Sequence, residues 1–287
     1  MPAVDDLRQP RGTAFTIRDL PWSDVATIAR EGETLGYRAV FLPETGTRDT
    51  VATLAALSAE TTTLRLGTGV IPMGARTARL AAMAAATVQE RSGGRLVLGV
   101  GTGGAARGAL DRLRSYVEEV RGHLDEAALP LPAPVPIWVA ALGPRAVRLA
   151  GEIADGVLLN WCTPERVAQA REGVRVAAGG AGRDPDAVTV AVYVRAAFTG
   201  RAEEAMKRAA AEYASNPAYA RQFRAMGVEV AAEAVVQAVC LPGDPDRARA
   251  RLDGYREAGA DLVVVYPVLA PGEDADASIA VLRALAP

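Results

Sequence analysis

Eight short apolar runs organise this chain, and a helical segment separates each from the next. Strands spaced in this way cannot be joined by tight hairpins. Each must reach its neighbour by a crossover, which makes the pairing parallel. Residues 37–42 and 262–266 are apolar almost without a break, as expected of parallel strands covered on both faces. Eight such units in 287 residues predict a single (β/α)8 TIM barrel, a fold that needs about 250 residues. An open doubly wound sheet is the alternative that the same alternation allows. One domain over residues 1–287 follows, with residues 1–12 as a flexible polar leader.

The expected strands are residues 13–17, 37–42, 64–71, 96–100, 137–141, 157–159, 187–198 and 262–266. Between them, apolar residues recur near every 3.6 positions, as in Val25, Ile28, Ala29 and Leu35, or Leu110, Leu113, Val117, Val120 and Leu124. Residues 203–226 read as one long helical region, followed by a second piece at 231–239. Residues 244–257 read as the last barrel helix.

Several function classes fall away on composition. The net charge is −2 with charges spread along the chain, so no nucleic-acid footprint is visible. No apolar run approaches the roughly 20 residues that cross a bilayer. The start is acidic, unlike a secretory signal, and two cysteines make no disulfide framework, so a cytoplasmic protein is expected. His123 is the only histidine, which rules out a multi-histidine metal site and leaves any triad dependent on a helix-end residue. Chemistry brought by an organic cofactor fits better than chemistry built on imidazole. No metal is expected, and Cys162 reads as inert.

In a barrel of this kind, function belongs at the carboxyl ends of the strands. Here those ends are rich in glycine: Gly69 before Val70 and Ile71, then Gly101-Thr102-Gly103, then Gly143. The stretch Leu64-Arg65-Leu66-Gly67-Thr68-Gly69-Val70-Ile71-Pro72 is a strand with two glycines in it. That marks either a bulge or an approach of backbone to something flat. In Ala140-Ala141-Leu142-Gly143-Pro144-Arg145, Gly143 suits an N-cap and Pro144 the first helical position. The free amides there, with the charge of Arg145, would seat a phosphate; a plain helix start with an exposed arginine reads equally well. Glu44 is the carboxylate at a strand end near this region, a candidate for proton transfer or for orienting a cofactor, or a rim carboxylate held by backbone amides. Trp22, Trp161, Tyr193 and Tyr266 are candidate substrate-lining aromatics or ordinary rim residues.

These residues carry a resemblance. Glu33 to Glu44, Leu66 to Val70, Ser92 to Gly101, Pro136 to Pro144 and Ala154 to Val157 resemble, in the same order, the luciferase-like monooxygenase superfamily. Within it they resemble the coenzyme F420-dependent branch, which includes methylenetetrahydromethanopterin reductase. The resemblance implies a bacterial luciferase-like barrel binding a flavin-type cofactor, coenzyme F420 or alternatively FMN, at its strand ends. It implies a non-prolyl cis peptide at Gly69-Val70 behind the ring, with Thr68, Gly69 and Val70 as one contact. Gly101, Thr102 and Gly103, and Ala140, Ala141, Leu142, Gly143, Pro144 and Arg145, would hold the ring edge and phosphate tail. Sugar-phosphate dehydrogenases of the branch carry an acidic residue and histidine where this chain has Glu44-Thr45, and a glutamate where it has Gly104. The implied function is hydride transfer from reduced deazaflavin to a small-molecule substrate. The alternatives are an FMN-dependent monooxygenase and a non-catalytic flavin or deazaflavin carrier. The resemblance also implies a homodimer, without membrane or nucleic-acid partners.

Overall fold

The computed structural model describes residues 11–104, 107–126 and 130–287. The chain runs through β1 (Arg11–Ala14), α1 (Trp22–Thr34), β2 (Ala39–Leu42), α2 (Thr50–Glu60), β3 (Arg65–Thr68), β4 (Ile71–Pro72), α3 (Ala78–Arg91), β5 (Leu96–Gly101) and α4 (Ala109–Asp125). It continues through β6 (Ile137–Ala141), α5 (Pro144–Ile153), β7 (Gly156–Asn160), α6 (Pro164–Gly180), β8 (Thr189–Ala197), α7 (Gly200–Ser215), α8 (Pro217–Ala225) and α9 (Ala232–Val239). The last elements are β9 (Cys240–Pro242), α10 (Pro245–Glu257), β10 (Leu262–Pro267) and α11 (Ala275–Ala284).

The sheet is parallel and closed. Its order is β10-β1-β2-β3-β5-β6-β7-β8, and β8 pairs back onto β10 from Leu262↔Ala191 to Pro267↔Ala196. The short β4 and β9 extend the rim, beside β5 and β8. This is the eight-stranded (β/α)8 barrel that the alternation predicts, not an open sheet. Along each strand, side chains alternate between barrel interior and the helical layer. On β10, Leu262 and Val264 join the interior cluster, while Val263 and Val265 join the cluster under the helices. All four are fully buried, which explains why the strand reads as a continuous apolar run.

Helix starts are set by side-chain caps. Asp49 accepts from Ala52 N at 2.8 Å, and Thr163 from Arg166 N at 3.3 Å with Pro164 at the first helical position. The helical region expected over 203–226 is divided. Asn216 leaves α7 and caps α8 by accepting from Ala218 N at 2.9 Å, and Pro217 has no N–H with which to continue α7.

Two other boundaries differ from expectation. The first strand begins at Arg11, so Arg11 and Gly12 belong to β1; the rest of the expected leader lies outside the described residues. The last barrel helix is α11, capped by Asp274, rather than α10. It closes the outer layer over α1, and Tyr37 Oη donates to Leu282 O at 2.9 Å and Leu285 O at 3.0 Å.

Candidate functional site at the carboxyl ends of the strands

The interior is filled by a ring cluster: Phe41 stacks on Trp138 at 5.5 Å, and Tyr193 meets Phe41 edge-on at 6.1 Å. This packing accounts for the two glycines of the third strand. A Cβ on Gly67 would lie 2.2 Å from the Phe41 ring, and one on Gly69 would lie 2.0 Å from the Tyr193 hydroxyl. The flat groups that these glycines admit are the protein's own aromatic side chains. Tyr193 is therefore 7% exposed, with its hydroxyl sealed and unpartnered against Gly69, and burial pushes its phenol far above the ordinary value. It does not line the mouth as a wall.

The peptide between Gly69 and Val70 is cis, as the resemblance implies. Thr68 clamps the break in the ladder: its hydroxyl donates to Gly99 O at 2.7 Å and accepts from Gly99 N at 2.8 Å. Thr68 is fully buried, and its hydroxyl spends its donor and one acceptor position on β5.

Strand alternation carries the interior face upward to the mouth. The next inward positions above Val97, Trp138, Leu158, Tyr193 and Val264 are Gly99 followed by Gly101, then Ala140, Asn160, Arg195 and Tyr266. Val70 joins them: a Cβ on Gly101 would sit 3.0 Å from Val70 and 3.3 Å from Ala140, so these three residues meet. The floor thus has two unlike halves. From β3 to β6 it is small and apolar, with Val70, Gly101 and Ala140. From β7 to β10 it is polar: Arg195 donates to Asn160 Oδ1 at 2.8 Å, and its guanidinium stands 5.0 Å from the Tyr266 ring.

At the rim, Gly143 is the N-cap of α5 and Pro144 its first residue, as predicted. No side chain caps that end, and Arg145 beside it is exposed without an ion pair among the described residues. Ala141 is buried, Leu142 half-buried with its carbonyl held by Arg166 at 3.0 Å, Thr102 half-buried and Gly103 exposed. Gly103 turns against Pro72 with a left-handed φ of +69°.

Glu44 has both oxygens engaged. Oε1 meets Arg76 Nη2 at 3.0 Å, and Oε2 accepts from Thr50 N at 3.1 Å at the start of α2. Arg76 also pairs with Asp49 at 2.7 Å. Trp22 lies on the rim at the first residue of α1 and is 41% exposed. Trp161 departs from the expected mouth wall: it is 1% exposed, packed with Tyr213 and Phe223 under α7 and α8. Its φ of 53° turns the indole there, and Gln222 fixes the bend by donating to Asn160 O and Trp161 O. Cys162 and Cys240 are buried thiols, each pushed up to about 12 by burial, in keeping with an inert Cys162. His123 stands 3.4 Å from Glu126 at the end of α4, away from the mouth.

Sequence reasoning places Arg195 at a strand's carboxyl end without giving it a role, and passes over Arg76. The signal for Arg195 was present: it is the one charge inside an apolar strand, Val190 to Phe198. Among the described residues no group of His, Cys, Asp and Glu could hold a metal ion, and no helix is long and apolar enough to cross a membrane.

Comparison with known proteins agrees with the barrel. Methylenetetrahydromethanopterin reductase of Methanolobus tindarius is 27% identical, over 92% of this chain and 95% of its own. Two solved structures share the fold. A coenzyme F420-dependent tetrahydromethanopterin reductase from Methanopyrus kandleri has a TM-score of 0.72 at 18% identity, covering 96% of this chain and 98% of its own. An F420-dependent secondary alcohol dehydrogenase, solved with an F420-acetone adduct, has a TM-score of 0.76 at 17% identity, covering 96% and 99%. The family described as luciferase-like monooxygenase matches residues 6–262, and the chain belongs to it.

Proposed function

We propose that this protein is an oxidoreductase that moves a hydride between reduced coenzyme F420 and a small organic acceptor, such as an imine, an enone or a methenyl or methylene pterin-like carbon. The observation that carries the reading is the divided floor of the mouth. Val70, Gly101 and Ala140 form a small apolar shelf of short side chains, and the amino end of α5 follows the same strand as Ala140. A planar ring fits the shelf, and an anionic tail fits the helix end with Arg145. The deazaflavin, when bound, supplies the hydride.

The protein's own residues bind, orient and exclude water. Val70 would be among the residues that hold the ring, and it packs against the aromatic cluster of Phe41, Trp138 and Tyr193, which keeps it rigid. Glu44 serves by position: it holds Arg76 and the start of α2, so its contribution is the shape of the rim between β2 and β3. The similarity to the methanopterin reductase along nearly the full length of both chains supports the same reading.

Fluorescence titration of the purified protein with coenzyme F420 and with FMN tests it, followed by reduction and addition of acceptors. Selective binding of F420 with bleaching and recovery of its absorbance on turnover is the expected result. Selective FMN binding with oxygen uptake on reduction points to a monooxygenase, and binding without turnover of any acceptor points to a carrier.

A further inference from the structure

Arg195 is a buried cation with aromatic rings around it and no counter-charge among the described residues. It is 7% exposed, and no carboxylate pairs with it among the described residues. Of its five N–H donors, only the one that reaches Asn160 Oδ1 is used among the described residues. Its other nitrogens make no hydrogen bond among the described residues, yet none is among the sealed, unpartnered atoms, so they are not fully closed off.

Arg95 shows what a structural arginine looks like in this fold. Equally buried, it makes five hydrogen bonds of 2.8–3.0 Å, to Ser92 O, Ser58 O, Thr61 O, Thr61 Oγ1 and Leu64 O. A buried charge is costly unless it is paired or fully hydrogen-bonded. Arg95 meets that condition internally, and Arg195 does not.

The surroundings of Arg195 are arranged to hold the guanidinium still. Its carbon lies 4.0 Å from the Trp161 ring, 5.3 Å from Tyr213 and 5.0 Å from Tyr266. Asn160, which receives its hydrogen bond, is itself oriented by donating to Tyr219 Oη at 3.2 Å. Aromatic rings therefore cover the guanidinium while donors on its edge remain unspent, and such an edge matches the paired oxygens of a carboxylate.

We infer that Arg195 is the anion-recognition residue of the mouth, and that it takes a carboxylate or comparable planar oxyanion of the bound small molecule. Asn160, Trp161 and Tyr213 act as its positioning residues. The inference deepens the proposed function, since it rests on the mouth being the ligand site. It assigns the acceptor, or a group of the cofactor, a negative charge placed opposite the apolar shelf.

The test uses the full chain without cofactor, so that it stands apart from the F420 titration. Benzoate is titrated by calorimetry at low salt, with neutral benzamide as control, against wild type, Arg195→Met and Arg195→Lys. Saturable benzoate binding is expected in wild type, at least tenfold tighter than benzamide, with a loss of tenfold or more in Arg195→Met. Arg195→Lys, which keeps the charge but not the fork, should fall between. If Arg195→Met does not fold, the Arg195→Lys comparison decides alone. Repeating the titration with F420 present separates the sources: benzoate still bound places the anion on the acceptor, and competition places it on the cofactor, either result upholding the site. Benzoate affinity unchanged by both substitutions, or no preference of wild type for benzoate over benzamide, overturns it.

Discussion

Replacing Gly69 by alanine tests the packing that underlies the mouth. The added methyl would lie 2.0 Å from Tyr193 Oη, so the two must separate by more than 1 Å in a region where neither backbone nor ring has free space. Overpacking of that kind costs about 2–3 kcal/mol. Gly69 is not in the left-handed region, so no further backbone conflict of that type adds to it. Tyr193→Phe removes a hydroxyl that has no partner, and should change stability by no more than about 0.5 kcal/mol. In the double variant the nearest atoms become Phe41 Cβ at 3.1 Å and Tyr193 Cζ at 3.2 Å, contacts relieved by a few tenths of an ångström. The double variant should therefore lose only about 1 kcal/mol, leaving a coupling of about 1–2 kcal/mol between the two positions. Urea melts of the four proteins measure it, and thermal melts should show Gly69→Ala about 5 °C below the wild type. A double variant as unstable as Gly69→Ala alone would refute the clash with the Tyr193 hydroxyl as the reason for glycine here.

Two further expectations concern charge. Arg145→Glu reverses the charge beside the free end of α5 and should weaken F420 binding about tenfold at low salt, an effect that added salt reduces; affinity within a factor of two would place the tail elsewhere. Glu33 opposes its partial burial by accepting from Thr62 N, Thr63 N, Thr63 Oγ1 and Leu64 N, and these bonds hold its carboxyl below the ordinary value of 4.5. A depressed carboxyl stabilises the fold above its unfolded pKa and loses that contribution as pH falls through the folded one. Glu33→Gln should therefore be less stable by about 1 kcal/mol at pH 7, with the difference closing as the pH drops below about 4.5 in parallel melts.

The barrel was legible because its signals are local. Asp49 before α2 and Thr61 after it, or Gly143-Pro144 before α5, fix boundaries through caps that a reader of sequence can see. At Asn216-Pro217 a local stop signal lies inside the expected helix 203–226 and is outweighed by its length: Asn216 caps α8 through Ala218 two residues on, and Pro217 cannot continue α7. Where the determinant is distant, the reading changes. For α11, the carbonyls of its last turns are bound by Tyr37 and Arg11 from the opposite end of the chain, contacts that no local pattern displays. The same holds for the glycines of the third strand. They were legible as places where something flat comes close, but Phe41 and Tyr193 arrive from other strands, so sequence alone could not separate a ring of the protein from a ring of a ligand.

The site follows from the same rule of alternation. On β6, β7, β8 and β10 the interior residue and the floor residue are two apart, so the rings of Phe41, Trp138 and Tyr193 form one layer and the floor forms above it. A layer of large rings fills the barrel below and forces any ligand to rest above it. The floor layer then decides what rests there. Val70, Gly101 and Ala140 offer area without reach, which favours a flat apolar face. Asn160, Arg195 and Tyr266 offer donors and a held charge, which favours a polar edge. A ligand satisfying both must be planar on one side and anionic on the other, or two ligands must divide these roles between them. On the proposed function, a cofactor over the shelf and an anionic group against Arg195 would divide the mouth in this way, and the benzoate titration with F420 present tells which molecule carries that group.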